Sequence, residues 1–291
     1  EARVIYSCRR RRHSMRLGAV LKLIRVEHGV MLSVAVLAGA LTVGFPDPLR
    51  VFLACLAAFL LEAALFAGND IMNIEEDRLN RPDRPLVRGD LSLRQAWFLV
   101  VFCGSVGLAI SAYLGAGPLM LAVLALLLGF LYNAYVKRLA FFGNIVVSLL
   151  TASAFLYGSL SMFVLTDEAL VFAVIALTAN ISREVIKGIR DLPGDIKAGI
   201  CTLPCEIGER GSAVVAAIFT ALAIALSIAA IPLFTPVYTA LILVTDLLFA
   251  YSAAIVVWKP CVETAEKARK LTLAGMLTAI LALLASQLHT L

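Results

Sequence analysis

Two short stretches carry side chains whose types and spacing suit chemistry. The first, residues 68–82, holds Asn69, Asp70, Asn73, Glu75, Glu76 and Asp77, then Arg78 and Arg81. On a helix, Asn69, Asn73 and Asp77 recur at i, i+4 and i+8 and share a face, with Asp70 about 100° round from Asn69. Carboxylate and amide oxygens grouped this way suit a hard cation such as Mg²⁺, which takes carboxylates together with phosphate oxygens. The bland alternative is a solvated helix end whose acids pair with Arg78 and Arg81. The second stretch, residues 182–195, places Glu184, Lys187 and Asp191 on one helical face. Asp195 follows Pro193 and Gly194, where the helix is expected to end or bend.

The surrounding chain must position these groups in a membrane. Its 291 residues are 61% apolar and only 15% charged, with a mean hydropathy of +0.94, too apolar for a water-soluble domain. Apolar runs mark nine candidate spans, near 18–44, 50–68, 95–115, 118–136, 143–163, 169–188, 213–231, 237–257 and 270–289. Turns at 44–48, 115–118 and 231–236 are short, so the helices they join are antiparallel neighbours. With nine spans, all of the 25 Lys and Arg residues except Arg50 fall on one side. Because cytoplasmic loops collect basic residues, this predicts a multi-pass cell-membrane protein with its N-terminus cytoplasmic and its C-terminus opposite. The expected fold is all-α, a single membrane-embedded domain over 1–291 with helices arranged round a central cavity.

The same topology sorts the remaining features. Residues 1–16 read as a basic cytoplasmic tail rather than a cleavable signal, and the run Arg9–Arg12 as an anchor to anionic headgroups rather than a nucleic-acid site. The net charge of +5 therefore implies no nucleic acid, and no obligatory protein partner is expected. The six cysteines form neither a disulfide framework nor, with three histidines, a zinc pattern. Both acid-rich stretches close an even-numbered span at the cytoplasmic face, four helices apart. That equivalence predicts a pseudo-repeat, helices 1–4 and 5–8 with the ninth at the C-terminus, which sets the two sites face to face.

Two facing acid clusters can each hold one Mg²⁺, and two metals can bracket a diphosphate and stabilise it as a leaving group. Arg25, Lys137 and Lys187 are placed to take up remaining negative charge, while a hydrophobic tail lies among the helices. The implied chemistry is ionisation of an allylic diphosphate and capture of the carbocation by an acceptor. Intramembrane acids are functional candidates in general. Glu62 lies seven residues before Asn69 and either lines the cavity or pairs with a neighbouring helix. Asp246, with no motif around it, reads as an inter-helix bond. A secondary transporter would instead concentrate polar groups near the bilayer midplane, and the Asp-Gly/Ala-Arg signature of CDP-alcohol phosphotransferases is absent from the sequence.

These residues resemble the UbiA-type intramembrane prenyltransferases. The family's first motif, Asn-Asp-x-x-Asp-x-x-x-Asp, stands here as Asn69-Asp70-x-x-Asn73-x-x-x-Asp77, followed by Arg78-Leu79-Asn80-Arg81-Pro82-Asp83-Arg84-Pro85. The second, Asp-x-x-x-Asp, stands as Asp191 and Asp195, and a third as Tyr132 before Lys137-Arg138. The resemblance implies catalytic roles for Asp70, Asp77, Asp191 and Asp195, and a metal-ligand set of Asn69, Asn73, Asp77, Asp191 and Asp195 for two Mg²⁺. It also implies diphosphate binding by Arg25, Lys137, Arg138 and Lys187, and a substrate cavity lined by Tyr132, Glu62 and Glu184. Asn73 departs from the family's usual Asp, which implies a more weakly held metal. The phrases Arg183-Glu184-Val185-Ile186-Lys187 and Gly199-Ile200-Cys201-Thr202-Leu203-Pro204 are similar to those of members acting on prenylated glycerol phosphate. They imply ether formation with a geranylgeranyl group, the alternative being prenylation of an aromatic acceptor such as 4-hydroxybenzoate.

Overall fold

The computed structural model describes residues 16–197, 199 and 201–288; the tail expected over 1–15 lies outside the described residues. Every regular element among them is helical. In order they are α1 (Leu17–Leu23), α2 (Val26–Leu41), α3 (Pro48–Met72), α4 (Ile74–Asn80), α5 (Pro85–Arg88), α6 (Leu93–Leu114) and α7 (Ala116–Ala134), then α8 (Ala140–Leu160), α9 (Asp167–Lys197), α10 (Leu203–Ala229), α11 (Pro236–Trp258) and α12 (Val262–Leu288). Eight of these, α3 and α6 to α12, are long and apolar enough to cross a membrane, and the shorter apolar α2 accompanies them. The expected set of nine membrane helices is thus present among the described residues.

Local chemistry explains where the helices begin. Asp47 caps α3 by accepting from the Leu49 amide at 2.9 Å, with Pro48 in the first turn, where its missing N–H costs nothing. Ser92 and Gln95 form a reciprocal capping box at α6. Between α6 and α7, Gly115 takes φ +134°, a conformation open to glycine.

Packing then orders the bundle. Helix α2 lies against α3, α8 and α12; α3 against α6 and α7; α9 against α8, α10 and α12; and α11 against α10 and α12. The α2–α8 contact is backbone to backbone. A Cβ at Gly39 would collide with the Phe155 carbonyl, and one at Gly158 with that of Val36. Small residues that let helix backbones approach are how membrane helices gain packing energy without a hydrophobic driving force.

Four expectations need correction. The first span is not one helix, because the chain breaks at Arg25, which adopts φ +48° and ψ +65° between α1 and α2. A non-glycine residue there is strained; the Arg25 guanidinium is drawn across to Asp70, 45 positions on. The face shared by Asn69, Asn73 and Asp77 is also interrupted. Asn73, at φ −112° and ψ +20°, separates α3 from α4, and its side-chain amide donates back to the Asn69 carbonyl at 2.8 Å, competing with helical backbone bonding.

Conversely, α9 does not end at Pro193 but runs to Lys197. Proline forfeits one bond, to the carbonyl four residues back, and bonding resumes beyond it. The cysteine reading is corrected too: Cys201 and Cys205 form a disulfide, with Cα atoms 5.3 Å apart. Cys201 precedes α10 and Cys205 lies in its first turn, so a spacing of four brings their side chains within bonding range. Cys55, Cys103 and Cys261 are free thiols.

Candidate active site

The first acid stretch is built where α3, α4 and α5 meet. Asp70 closes α3 and is only 2% exposed. An isolated carboxylate would not be buried there; it accepts from Arg25 Nη2 at 3.0 Å and from Arg84 Nη1 at 2.5 Å. The same Arg84 nitrogen donates to Asp77 Oδ2 at 2.6 Å, so one cationic atom bridges two carboxylates from two helices. Burial pushes the Asp77 carboxyl above the ordinary carboxylate range, and the Arg84 charge opposes that rise.

A parallel arrangement surrounds Lys137, which lies in the short 3₁₀ turn Val136–Arg138 after α7. Its Nζ donates to the Asn73 amide oxygen and, at 2.5 Å, to Glu76 Oε2. Asn73 is oriented for this because its nitrogen is engaged by the Asn69 amide oxygen at 3.0 Å. Asn69 in turn donates to Asp70 Oδ1 at 3.3 Å.

The second stretch lies along α9. Glu184, 9% exposed, accepts from Arg183 Nη1 at 3.0 Å and from Lys187 Nζ at 2.7 and 2.9 Å. Arg190 grips Asp191 through two bonds of 2.7 Å and reaches Glu266 of α12 at 3.4 Å. Arg269 holds Glu266 through two bonds of 2.8 Å. One turn beyond Asp191, Asp195 accepts from Thr202 Oγ1 at 3.1 Å.

The two stretches lie within electrostatic reach of one another, acid facing acid. Asp195 lies within reach of Glu76, and Tyr132 within reach of Glu76, Glu184 and Asp195. His28, its ring 5.1 Å from that of Phe66, lies within reach of Arg25 on one side and Arg183 and Lys187 on the other. Below this mouth is an apolar chamber between α2, α3, α7 and α8, lined by Leu32, Leu61, Leu65 and Leu121 among others, and Glu62 opens onto it. Asp246 is engaged elsewhere, accepting from Ser227 at 2.8 and 2.9 Å, the inter-helix bond expected of it.

The expected residues Arg25, Asn69, Asp70, Asn73, Asp77, Tyr132, Lys137, Glu184, Lys187, Asp191 and Asp195 thus gather at one end of the bundle. Glu62 sits in the chamber; the Arg138 side chain lies outside the described residues. Sequence reasoning missed Arg84, Glu76, Thr202 and the Arg190–Glu266–Arg269 network. Arg84 and Glu76 stood inside the first motif, whereas Glu266 and Arg269 belong to a segment with no motif at all.

Among the described residues no three His, Cys, Asp or Glu side chains converge on one point. The donor set nevertheless fits a hard cation. A positively charged nitrogen already lies between Asp70 and Asp77, and another between Asn73 and Glu76, so each oxygen pair is arranged round a cation. All these donors are oxygens, the kind Mg²⁺ accepts.

An all-helical membrane bundle with two oxygen-rich clusters over an apolar chamber defines the class, an enzyme for lipids with an anionic head. Comparison with known proteins gives the family. Residues 30–285 match the UbiA prenyltransferase family model. Digeranylgeranylglyceryl phosphate synthase of Pyrococcus abyssi is 33% identical over 258 residues, 88% of this chain and 92% of that protein. The enzyme of the same name from Archaeoglobus fulgidus is 34% identical over 282 residues, 91% and 96% of the two chains. A solved digeranylgeranylglyceryl phosphate synthase superposes with a TM-score of 0.81 at 30% identity, covering 93% of this chain and 98% of that one. A UbiA homologue from A. fulgidus, bound to DMAPP and Mg²⁺, shares the fold at a TM-score of 0.70 and 18% identity, covering 90% and 99%. The chain belongs to the UbiA prenyltransferase family.

Proposed function

We propose that this protein transfers a geranylgeranyl group from its allylic diphosphate to the free hydroxyl of geranylgeranylglyceryl phosphate, forming an ether bond in archaeal-type lipid synthesis. The observation that carries prenyl transfer is the meeting of two oxygen-donor clusters at the mouth of one apolar chamber. The acceptor is supported by the relatives that share a third of this sequence over most of its length.

In this reading Asn69, Asn73, Asp77, Asp191 and Asp195 hold two Mg²⁺, the ion bound with DMAPP in the A. fulgidus protein. When bound, the metals supply Lewis-acid stabilisation of the departing pyrophosphate. Arg25, Lys137, Arg138 and Lys187 neutralise the remaining diphosphate charge. Asp70 holds Arg25 and Arg84 in place, so the carboxylates and the cations that face the diphosphate are ordered before it arrives. Tyr132 and Glu184, within electrostatic reach of one another, are assigned to the substrate cavity in this reading. The chamber, with about 50 Å³ of free space, marks the apolar path that would widen to take the hydrocarbon tail, and its lining shields the developing carbocation from bulk water.

The mouth faces the cytoplasm in this proposal, with the N-terminus on that side and the C-terminus opposite, a reading that the distribution of basic residues supports. The chain is one domain with a pseudo-repeat, α2, α3, α6 and α7 against α8 to α11. The pairing of α3 with α6 and of α9 with α10, each at equivalent places, supports this.

The test is an acceptor panel with a radiolabelled C20 diphosphate and Mg²⁺. Prenylated glycerol phosphate is expected to yield an ether and 4-hydroxybenzoate no product. An aryl–carbon product with the aromatic acceptor, and none with the glycerol phosphate, would overturn the acceptor assignment.

A further inference from the structure

Glu62 is the one acid of the chamber, and its surroundings are unusual. Ser153 and Tyr157 are the other polar side chains of the lining. Both are satisfied: Ser153 Oγ donates to the Leu150 carbonyl at 2.8 Å, and the Tyr157 hydroxyl bonds to Ser111 Oγ at 2.7 Å. The Glu62 carboxyl has no hydrogen-bond or ion-pair partner among the described residues, though it lies within electrostatic reach of Arg25. An acid in an apolar chamber within the membrane is costly to keep. Ordinary inter-helix bonding does not account for it, in contrast to Asp246, whose carboxylate is doubly bonded by Ser227.

Its height in the bundle relates it to the reaction. Glu62 is two helical turns before Asn69 on α3, roughly 10 Å along the axis. A diphosphate held at the mouth with its tail in the chamber puts the reacting carbon between these two levels. An acceptor oxygen that meets that carbon on the side away from the leaving group comes to it from the chamber side. Among the described residues that line the chamber, the polar group without a partner there is the Glu62 carboxylate.

We infer that Glu62 is the general base of ether formation, accepting the proton of the acceptor hydroxyl as that oxygen bonds to the allylic carbon. This rests on the proposed transfer to a hydroxyl acceptor. The bond from the carbon to the diphosphate oxygen breaks, and pyrophosphate leaves with the electron pair. The new carbon–oxygen bond forms from the acceptor, and its proton passes to Glu62 and from there to solvent at the mouth.

The test separates the two products. Wild type, Glu62→Gln and Glu62→Asp are incubated with Mg²⁺, a C20 allylic diphosphate and prenylated glycerol phosphate, and pyrophosphate and ether are measured independently. In wild type the two should appear in equal amounts. In Glu62→Gln, ether should fall about 100-fold, the scale of a lost general base. Pyrophosphate release should stay within about threefold of wild type, the stranded cation being captured as prenyl alcohol by water that enters from the mouth and carries off the proton. Glu62→Asp should restore a measurable part of the ether. The assignment is overturned if ether and pyrophosphate remain equal in Glu62→Gln, whether both persist or both vanish, or if Glu62→Asp forms no more ether than Glu62→Gln. Failure of the underlying reading is distinct, because wild type itself would then make no ether from this acceptor.

Discussion

The two acid clusters lie at the same end of the bundle but are built on different plans. Asp70, with a side chain 3% exposed, is held by cations from two separate segments, Arg25 at the α1–α2 break and Arg84 before α5. Asp191, with a side chain 38% exposed, is held by the residue next to it on a single continuous helix. The first cluster is therefore a tertiary construction that exists only when three segments have met. The second is local, and its longer-range ties run outward to Glu266 on α12. One cluster is fixed by the fold before any ligand binds, and the other keeps an accessible carboxylate to complete the site.

The largest expected effect comes from depriving both clusters at once. EDTA should lower pyrophosphate release by at least about 10³-fold, since a bound cation supplies several kcal/mol of charge stabilisation. Full activity with EDTA present would sink the metal-dependent mechanism. Next, Asp191→Ala should cost about 10²–10³-fold in kcat with little change in thermal stability, because its partner Arg190 keeps Glu266. In the buried cluster the balance reverses. Arg84→Gln should destabilise the protein by about 3–5 kcal/mol, read as a lower Tm, because two buried carboxylates lose their shared cation. A wild-type Tm there would mean that Arg84 is not the clamp described. Smaller still, Asn73→Asp should lower the Mg²⁺ concentration for half-maximal rate by about two- to tenfold, since ligand charge tunes affinity. A large loss of kcat would instead assign the amide a further role. Glu266→Gln should be the mildest, within about fivefold of wild type, because Glu266 is 35% exposed and its ion pairs are screened by solvent.

Much of this contrast was legible in the sequence, but only where the signal was local. Apolar runs counted the helices, and the acids of α9 fell on one face because their helix is unbroken. The first cluster resisted reading for the opposite reason. No Gly or Pro adjoins Arg25 to announce a break; its left-handed backbone is bound up with a carboxylate 45 residues away. Nor does helical periodicity reveal that Asn73 turns its amide back onto Asn69. Pro193 misled in the other direction, since a single lost bond does not end a helix whose other bonds persist. The Cys201–Cys205 pair went unread because a spacing of four is compatible with several uses until the turn before α10 is placed.

The central claim is that the two clusters work as a unit on one diphosphate. A double-mutant cycle on Asp77→Asn and Asp191→Asn, read by the rate of Mg²⁺-dependent pyrophosphate release, tests it directly. Each single variant should lose at least about 100-fold, and the double variant should be scarcely worse than the poorer single, as groups that act together are strongly non-additive. Losses that multiply, or one single variant with a wild-type rate, would show that the clusters act separately.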